Sequence, residues 1–261
     1  MAEFHDVFSR AKYYDIAFWR DVTDEVTFIQ ELYQRKLGRP LRTFLDNACG
    51  PGYHARIMAA RGVKTYGLDL MPEMIEYARH RAEEDGVSVD WIAADMRTVR
   101  LAEPVDFALT SFDSLDCLHT VDEIVEHLTT MAANLTPRGL YLIEATHLRR
   151  SSLSYYGDFF YEGQRNGTKV RVDWATNKPQ VDPVTQVAEV EVTMRVVDDG
   201  KEQFIVDRAR ERFYASQEYI ALAKASGALE VVEFFGDFDL DQKFDWSPGS
   251  ERCLVLMQKK Q

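Results

Sequence analysis

The segment that most constrains the fold covers residues 44–55 and reads FLDNACGPGYHA. An apolar run gives way to an acid, Asp46, and then to two glycines one residue apart, Gly50 and Gly52. A glycine at Gly50 permits a tight turn from strand to helix, and the missing side chain at Gly52 lets a ligand approach the backbone. With Asp69 at the end of the next predicted strand, the spacing matches a loose form of the dinucleotide-binding fingerprint.

Strands and helices alternate around this loop, which predicts a parallel sheet with helices on both faces. Residues 1–40 precede it and are predicted to be helical, because apolar side chains recur there at helical spacing. The predicted strands are 43–46, 63–69, 87–93, 105–111 and 140–145, and the predicted helices are 53–61, 72–85 and 121–135. A last helix, 217–225, and two strands, 229–235 and 253–258, close the unit.

The pattern changes between residues 155 and 214, where apolar side chains recur at every second position. The clearest part is 187–197, and Asp199-Gly200 after it is a strong signal for a type I′ hairpin turn. Further strands are predicted at 155–161, 169–174 and 202–213. We therefore predict an α/β fold with an antiparallel β insertion. Its parts are residues 1–40, 41–150, 151–214 and 215–261.

The bulk composition disfavours several classes of function. The 261 residues carry a formal net charge of −12, whereas nucleic-acid binding relies on clustered basic side chains. No apolar run approaches the roughly 18–20 residues that a membrane span needs, and the N-terminus lacks the pattern of a secretory signal. Three scattered cysteines, Cys49, Cys117 and Cys253, argue against a disulfide framework or a zinc ribbon. We expect a cytoplasmic protein without a bound metal, whose partner is a small molecule or a protein.

The acid beside the glycine loop distinguishes two cofactors. Both NAD and S-adenosylmethionine offer a ribose to Asp69, but they differ in the other half of the molecule. NAD presents a pyrophosphate anion, which is bound by free N–H groups at a helix N-terminus. S-adenosylmethionine presents an ammonium and a sulfonium, which a carboxylate attracts. Asp46 therefore favours S-adenosylmethionine.

Three segments resemble the motifs of class I S-adenosylmethionine-dependent methyltransferases. Residues 46–52 (DNACGPG) are similar to the first motif, residues 66–74 (YGLDLMPEM) to the second and residues 91–97 (WIAADMR) to the third. The resemblance covers about residues 40–150 and the terminal strands, and it implies the Rossmann-like seven-stranded sheet of that family. One departure is Asn47-Ala48, where many family members have Leu-Gly or Val-Gly; alanine is also small.

The resemblance also implies roles for individual residues. Asp69 would bind both ribose hydroxyls, Asp95 would reach the adenine amino group and Met96 would pack on the adenine ring. Tyr13 and Tyr14 would belong to an N-terminal lid over the cofactor. The residues expected at S-adenosylmethionine, or at its product S-adenosylhomocysteine, are Tyr14, Asp46, Ala48, Cys49, Gly50, Gly52, Asp69, Leu70, Met74, Asp95, Met96, Ser111 and Phe112.

The methyl acceptor is expected above the fourth and fifth strands, next to the sulfonium. Segments 111–119 and 144–147 lie there, and they contain three candidate catalytic residues, Asp113, His119 and His147. Asp113 suits an acceptor that is cationic or must lose a proton, and the alternative is an N-cap role. Each histidine suits a general base because an imidazole titrates near neutrality, and the alternative is a structural role.

The insertion carries three arginines on one face of a strand, Arg208, Arg210 and Arg212. They could bind a phosphate or a carboxylate of a substrate. Centring the hairpin on Asp199-Gly200 places the first two opposite Glu191 and Glu189, which favours ordinary cross-strand pairs. The third falls opposite Val187 and is expected to lack an acid.

The insertion is similar in architecture to that of amino-sugar N-methyltransferases of antibiotic pathways, and glycine N-methyltransferase-like enzymes share the general plan. This resemblance implies a small-molecule acceptor that is methylated on N or O. In that family the added sheet covers the active site or forms a homodimer contact, and both roles stay open. Two other functions stay open as well: an NAD(P)-dependent oxidoreductase, and a non-catalytic protein that binds S-adenosylmethionine.

Overall fold

A computed structural model describes residues 6–147 and 159–261. The boundary predicted between residues 150 and 151, and the start of the strand predicted at 155–161, lie outside the described residues. The helices are α1 (Asp6–Ser9), α2 (Ala11–Phe18), α3 (Thr23–Leu37), α4 (Tyr53–Ala60), α5 (Pro72–Glu84), α6 (Val121–Asn134) and α7 (Ser216–Ser226). The strands are β1 (Thr43–Asn47), β2 (Lys64–Asp69), β3 (Asp90–Ala93), β4 (Val105–Thr110), β5 (Leu135–Thr146), β6 (Phe159–Arg165), β7 (Thr168–Trp174), β8 (Val187–Asp198), β9 (Lys201–Arg212), β10 (Leu229–Phe235) and β11 (Arg252–Lys259). None of the described helices combines the length and the hydrophobicity of a transmembrane span.

The α/β unit is a seven-stranded sheet with the order β10-β11-β5-β4-β1-β2-β3. Strands β1 to β5 run parallel to one another, and β11 is antiparallel to its neighbours β5 and β10. This confirms the predicted parallel α/β sheet. The predicted third strand was too long, because only Asp90–Ala93 pair with β2. The fifth strand, predicted at 140–145, is longer, because β5 already begins at Leu135; within it Arg138 has a φ of 62°.

Both faces of the seven-stranded sheet are buried, because helices cover them. Neighbouring residues of a strand point to opposite faces, so Phe44 of β1 packs with α3, and Leu45 packs with the layer of α6 and α7. On the α3 side, Ile29 and Leu32 have no exposed surface. Each such side chain contributes about 1.5–3 kcal/mol of burial free energy.

Strands β6 to β9 form a separate antiparallel sheet in the order β6-β7-β8-β9. Its long hairpin turns at Asp199-Gly200, whose φ angles of 48° and 73° fit a type I′ turn. The predicted register is confirmed, since Arg208 lies opposite Glu191 and Arg210 lies opposite Glu189 in the paired strands. The buried face of β8 consists of Ala188, Val190, Val192, Met194 and Val196.

The first two helices pack on the insertion rather than on the seven-stranded sheet. Ile16, Ala17 and Phe18 of α2 belong to the same apolar cluster as the buried face of β7 and β8. Gly163 of β6 is needed for this contact, because a Cβ there would collide with the carbonyl O of Ile16. Helix α3 belongs instead to the core of the main sheet. The described part of residues 1–40 therefore divides between two cores.

Candidate cofactor and acceptor site

The acids of the three motifs lie at one edge of the seven-stranded sheet. Asp46 is near the end of β1, Asp69 is the last residue of β2 and Asp95 follows β3. All three therefore stand at the carboxyl ends of neighbouring parallel strands, the edge where open α/β sheets bind ligands. The segment after β4 lies on the other side of Asp46, because β4 is the second neighbour of β1.

Asp46 combines a structural hydrogen bond with an unsatisfied oxygen. Its side chain is fully buried, and Oδ2 accepts a 3.0 Å hydrogen bond from the backbone N–H of Ala55 in the first turn of α4. Oδ1 has no hydrogen-bond partner among the described residues. Burial raises the pKa of this carboxyl to about 6, although His54 and the Ala55 bond lower it. Asp46 is thus ionised at neutral pH, and its second oxygen can accept a bond from a cation.

The two glycines of the loop play different parts. Gly50 has a φ of 51°, and its N–H donates to Asp69 Oδ2 at 2.8 Å. A Cβ at Gly50 would have only the ring of Tyr14 within 4 Å, so this residue faces the open side of the loop. Gly52 has a φ of 75°, and a Cβ there would collide with the ring of Trp91. This corrects the expected reason for Gly52: the glycine is needed because the backbone has a positive φ and because Trp91 packs against it, rather than because a ligand approaches there.

Ala48 and Cys49 lie between the acid and the glycines. Ala48 has a φ of 56°, a left-handed conformation that favours glycine, which explains why glycine is common here in the family that the motif resembles. The N–H of Cys49 donates to the carbonyl O of Leu68 at 2.8 Å. Burial raises the pKa of the Cys49 thiol well above its usual value. Both residues therefore bring backbone, rather than a reactive side chain, to the loop.

Asp69 organises the second motif. Its Oδ2 holds Gly50, and its Oδ1 accepts a 3.0 Å bond from the N–H of Met71, so the carboxylate ties the glycine loop to the start of α5. Each oxygen keeps a second lone pair that a ribose hydroxyl can use. Of the two apolar residues expected here, Leu70 is 43% exposed and open to a ligand, whereas Met74 is 2% exposed and enclosed.

Asp95 of the third motif is held by its neighbour Arg97. Arg97 Nη2 lies 2.7 Å from Oδ2, and the backbone N–H of Arg97 donates to Oδ1 at 2.8 Å. These bonds lower the pKa of Asp95, so the carboxylate stays an acceptor. The carbonyl O of Met96 lies 3.1 Å from His127 Nδ1, and its Sδ lies 3.6 Å from Asn47 Nδ2. Met96 is thereby fixed beside Asp95.

An aromatic group from α2 covers the loop. Tyr14 stacks on Phe18 with ring centroids 4.2 Å apart, and Phe18 contacts Tyr161 of β6 at 4.4 Å. Phe112, after β4, packs against Phe18 at 6.0 Å, and its N–H donates to Glu144 Oε2 at 2.9 Å. Two expected site residues, Tyr14 and Phe112, therefore belong to one group that also contains a side chain of the insertion.

Asp15 fixes this cover in place. Its buried carboxylate accepts hydrogen bonds from Tyr53 Oη at 2.7 Å and Tyr77 Oη at 2.6 Å, and it forms an ion pair with Arg165 of β6. Burial opposes the charge, but these partners lower the pKa of Asp15 below its usual value. One carboxylate thus joins α2, the α/β unit and the insertion. The neighbouring Tyr13 faces the insertion and donates to Asp198 at 3.3 Å.

Arg20, in the connection between α2 and α3, is a candidate that the sequence did not reveal. It forms an ion pair with Glu25, lies 3.6 Å from Glu144 Oε2 and stands 5.2 Å from the ring centroid of Phe112. It also lowers the pKa of Asp46, so it is close enough to act on the glycine loop. A guanidinium there can bind a carboxylate. No pattern marks Arg20, because only the packing of α2 brings it to the site.

The segment after β4 turns sharply. Ser111 is 8% exposed, and its carbonyl O accepts bonds from the N–H of Ser114 at 3.2 Å and from its side chain at 2.8 Å. Phe112 and Asp113 both have a φ of 56°, a conformation that costs an L residue about 1–2 kcal/mol. Two such residues in succession are typical of functional sites.

Three acidic residues lie near one another beyond the end of β4. Asp113 follows the strand, Asp116 lies in the 3₁₀ turn Ser114–Cys117 and Glu211 comes from β9 of the insertion. Asp116 is 7% exposed, and Oδ1 of Asp113 is buried without a hydrogen-bond partner among the described residues. Burial raises the pKa of all three carboxyls, and repulsion from Asp113 adds to the effect on the other two. The sequence predicted only Asp113 of this group.

Glu211 was overlooked in the sequence, because only the arginines on either side of it were considered. Alternation along β9 puts Ala209 and Glu211 on the buried face of the insertion, and Arg208 and Arg210 on the outer face. An acid in the inward register of a half-buried strand was the available signal. The outer arginines are exposed, and neither lies within ion-pair distance of a described acid.

His119 and Arg212 connect the insertion to the segment after β4. His119 Nε2 lies 2.7 Å from the carbonyl O of Arg210, and Arg212 donates to the carbonyl O of His119 at 3.4 Å. This contact occupies one ring nitrogen of His119, which was expected to be a general base. Arg212 is 7% exposed and pairs with Glu218 of α7 at 3.4 Å. The expectation that Arg212 lacks an acid was wrong, because its partner comes from another element.

His147 is enclosed by the segment between β10 and β11. It is 2% exposed, and its Nε2 lies 2.9 Å from the carbonyl O of Asp245. Its ring centroid is 4.8 Å from that of Phe244 and 5.2 Å from that of Trp246. This corrects the expectation that His147 is presented to an acceptor, because protein groups surround the imidazole.

Known proteins are similar to this chain in sequence. Residues 44–139 match the family model of a methyltransferase domain. The dTDP-3-amino-3,4,6-trideoxy-alpha-D-glucopyranose N,N-dimethyltransferase of Streptomyces venezuelae is 26% identical over 218 residues. That match covers 82% of this chain and 86% of the Streptomyces protein.

Solved structures are similar along most of the chain. An S-adenosylmethionine-dependent methyltransferase from Clostridium acetobutylicum superimposes with a TM-score of 0.76 at 18% identity, over 92% of both chains. An amino pentose methyltransferase from Micromonospora echinaspora, with its methyl donor bound, gives a TM-score of 0.69 at 23% identity, again over 92% of both chains. At these identities the likeness concerns the fold, and it confirms the predicted sheet with its β insertion.

Proposed function

We propose that this chain, which is a class I S-adenosylmethionine-dependent methyltransferase, methylates an amine nitrogen of a small, sugar-like acceptor. The methyltransferase activity and the cofactor rest on the matched domain and on the relatives; the acceptor and its residues are the proposal. One observation carries it: Asp113 and Asp116 directly follow β4 at the sheet edge that carries the motif acids, and β9 with Glu211 is held against that segment by the contact of Arg210 with His119.

The residues at that edge fit the methyl donor. Asp46 offers an unsatisfied oxygen to the ammonium of the methionine part, and Arg20 offers a cation to its carboxylate. Asp69 and Asp95 keep lone pairs for the ribose hydroxyls and the adenine amino group. When bound, the donor supplies an electrophilic methyl group on a sulfonium.

The acidic lining favours an amine over a hydroxyl as the acceptor. An aliphatic amine is protonated at neutral pH, and a buried carboxylate attracts the resulting ammonium. A sugar hydroxyl carries no charge and gains less from three carboxylates. The Streptomyces relative is named for the dimethylation of an amino sugar, which is the same class of acceptor.

The chain has mainly to align the two reactants and exclude water, because methyl transfer is an in-line displacement. Such alignment supplies about 7–11 kcal/mol in favourable intramolecular reactions. The contact of Phe18 with Tyr161 and the ion pair of Asp15 with Arg165 hold α2 and the insertion over the sheet edge. His119 holds β9 against the segment after β4. These contacts support a roof role for the insertion.

A homodimer is compatible with this role, because the outer face of β9 carries exposed Phe204 and Val206. Light scattering of the purified protein measures the oligomeric state directly. A homodimer, a cytoplasmic location and the lack of a nucleic-acid partner stay predictions from the sequence.

Two assays test the proposed function. S-adenosylhomocysteine at about 100 times its dissociation constant should stabilise the protein by roughly 2.7 kcal/mol, and NADH should not. Transfer of a labelled methyl group is then measured on amino sugars, free and dTDP-linked, and on the matching hydroxyl sugars, with Asp69→Ala as the inactive control. We expect methylation of an amino sugar alone. Methylation of hydroxyl sugars alone, or of none by a protein that binds S-adenosylhomocysteine, would contradict the proposal.

A further inference from the structure

We propose that Glu211 of the insertion completes a cation subsite with Asp113 and Asp116, and that it accepts the proton which the acceptor ammonium must lose. This inference rests on the proposed function, because it specifies how the same site treats its acceptor. It gives the four-stranded sheet a part in the chemistry, beyond covering the site.

Contacts of the residues before and after Glu211 fix its position in the folded chain. Glu211 pairs with Ala188 on the buried face of the insertion. The carbonyl O of the preceding Arg210 lies 2.7 Å from His119 Nε2, and the following Arg212 donates to the carbonyl O of His119 at 3.4 Å. Because His119 closely follows the 3₁₀ turn, the two contacts hold β9 against the segment that carries the other two acids.

Several buried groups near Asp113 lack hydrogen-bond partners among the described residues. Asp116 is 7% exposed, and its carboxylate receives no hydrogen bond or ion pair from a described residue. Oδ1 of Asp113 and the hydroxyl of Tyr219, a residue that is 1% exposed, are likewise unsatisfied among the described residues. Asp113 and Asp116 both act on the pKa of Tyr219, so these groups are close together. A protonated amine brings three donors, which is the complement of such a set of acceptors.

Within the described ranges, the basic side chains nearest to Asp113 and Asp116 do not neutralise these two acids. Arg20 and Arg252 act on Asp113 and lower its pKa, but both already contact Glu144. No described basic side chain forms an ion pair with Asp113 or Asp116. Within the described ranges, the three acids are also not grouped as ligands for a metal ion. An organic cation is therefore the fitting ligand.

The titration of Glu211 supports its role as a proton acceptor. Burial raises the pKa of Glu211 to about 8, and the charge of Asp113 adds to this. Asp116 faces it from the 3₁₀ turn, and its pKa is also raised, first by burial and then by neighbouring charges. The exposed Cys117 lies in the same turn. Arg212 lies on the opposite face of β9 and pairs with Glu218. A carboxyl that titrates near neutral pH is an efficient base for an ammonium.

The step balances without a further reactant. One proton passes from the ammonium nitrogen to the Glu211 carboxylate, which frees the lone pair of the nitrogen. The N–C bond forms as the C–S bond breaks, and the electron pair of that bond goes to sulfur. The product is a methylammonium, S-adenosylhomocysteine is released, and Glu211 returns its proton to solvent.

The test compares Glu211→Gln with Glu189→Gln, an exposed acid on the outer face of the same sheet. The acceptor is the dTDP-linked amino sugar named for the Streptomyces relative, together with its hydroxyl counterpart. We expect Glu211→Gln to lower kcat/KM about 100-fold, a loss typical of a removed general base. Its affinity for S-adenosylhomocysteine, measured by calorimetry, should equal that of the wild type and of Glu189→Gln.

Two further readouts separate a chemical role from a structural one. In the wild type, kcat/KM should rise with pH until it levels near pH 8, and Glu211→Gln should lose this limb. The wild type loaded with S-adenosylhomocysteine should bind the amino sugar more tightly than its hydroxyl counterpart, and Glu211→Gln should not. If Glu211→Gln fails to bind S-adenosylhomocysteine, Asp116→Asn takes its place in the binding assay.

The outcomes distinguish this inference from the proposed function. Wild-type kcat/KM and an unchanged pH profile in Glu211→Gln would overturn the inference and leave amine methylation standing. An equal loss of kcat/KM in Glu189→Gln would also overturn the inference. A wild type that binds S-adenosylhomocysteine but neither binds nor methylates the amine would overturn both.

Discussion

The two halves of the proposed active site, one for the cofactor and one for the acceptor, are built in different ways. The cofactor half comes from consecutive strand–loop–helix units, and Asp46, Asp69 and Asp95 stand at the ends of β1, β2 and β3. The acceptor half joins the segment after β4 to β9 of another sheet, so that Asp113 meets Glu211 only in the folded chain. The first kind of site leaves a spacing in the sequence, and the second kind does not.

The halves also differ in how far their charges are satisfied. In the cofactor half, Asp69 accepts two backbone N–H groups and Asp95 is paired with Arg97. In the acceptor half, the carboxylate of Asp116 has no partner among the described residues. A set of paired acids is organised before ligands arrive, whereas unpaired buried acids gain a partner when a cation binds. Substitutions should therefore separate the two halves.

The largest effect is expected in the cofactor half. Asp69→Ala removes the proposed acceptor of the ribose hydroxyls, and hydrogen bonds to a charged group are worth about 1.5–3 kcal/mol each. We expect the affinity for S-adenosylhomocysteine, measured by calorimetry, to fall about 100-fold or more. Glu76→Ala, an exposed acid on α5, is the control. Equal affinity in a folded Asp69→Ala variant would remove Asp69 from the cofactor site.

A smaller effect, on stability rather than on cofactor affinity, is expected at His147, at the edge of the acceptor half. His147→Ala removes a buried imidazole and leaves the carbonyl O of Asp245 without its partner. The free energy of unfolding in urea should fall by about 1–3 kcal/mol, with turnover unchanged. His80→Ala, on the surface of α5, should change neither. Lost turnover with full stability would restore His147 as a catalytic residue.

Acid should weaken cofactor binding through Asp46. The pKa of this carboxyl is about 6, so its charge is lost below that pH, and the affinity for S-adenosylhomocysteine should fall about tenfold between pH 7 and pH 5. The contribution of Asp46 to the free energy of unfolding of the ligand-free protein changes with pH in the opposite direction. Because the folded pKa is raised, the contribution of Asp46 is present at low pH and is lost as the pH rises toward 6. Calorimetry across this range, with Asp46→Asn as a pH-insensitive control, measures the effect; a flat wild-type profile would contradict it.

The smallest effect is expected from the backbone of the glycine loop. Ala48 has a φ of 56°, so Ala48→Gly should raise the free energy of unfolding by up to about 1 kcal/mol. Ala59→Gly, a helical position in α4, should lower it by about 1 kcal/mol. A destabilised Ala48→Gly variant would show that the loop gains nothing from glycine at this position.

These differences explain what could be predicted from the sequence. The alternation of strands and helices along the chain and the register of the long hairpin follow from local periodicity and from the Asp199-Gly200 turn, and the structure confirms both. Arg20 and Glu211 were missed, because their partners lie in elements far away in the chain. His147 was misread for the same reason, since its surroundings come from the segment before β11.

In the proposed cofactor site, the free oxygen of Asp46 binds the ammonium of the methyl donor, and the other assignments depend on this contact. The most direct measurement compares the affinity of S-adenosylhomocysteine with that of its analogue lacking the α-amino group, in the wild type and in Asp46→Asn. We predict that the wild type prefers the amino compound by about tenfold or more, and that Asp46→Asn loses the preference. The same preference in both proteins would contradict the binding of the ammonium by Asp46.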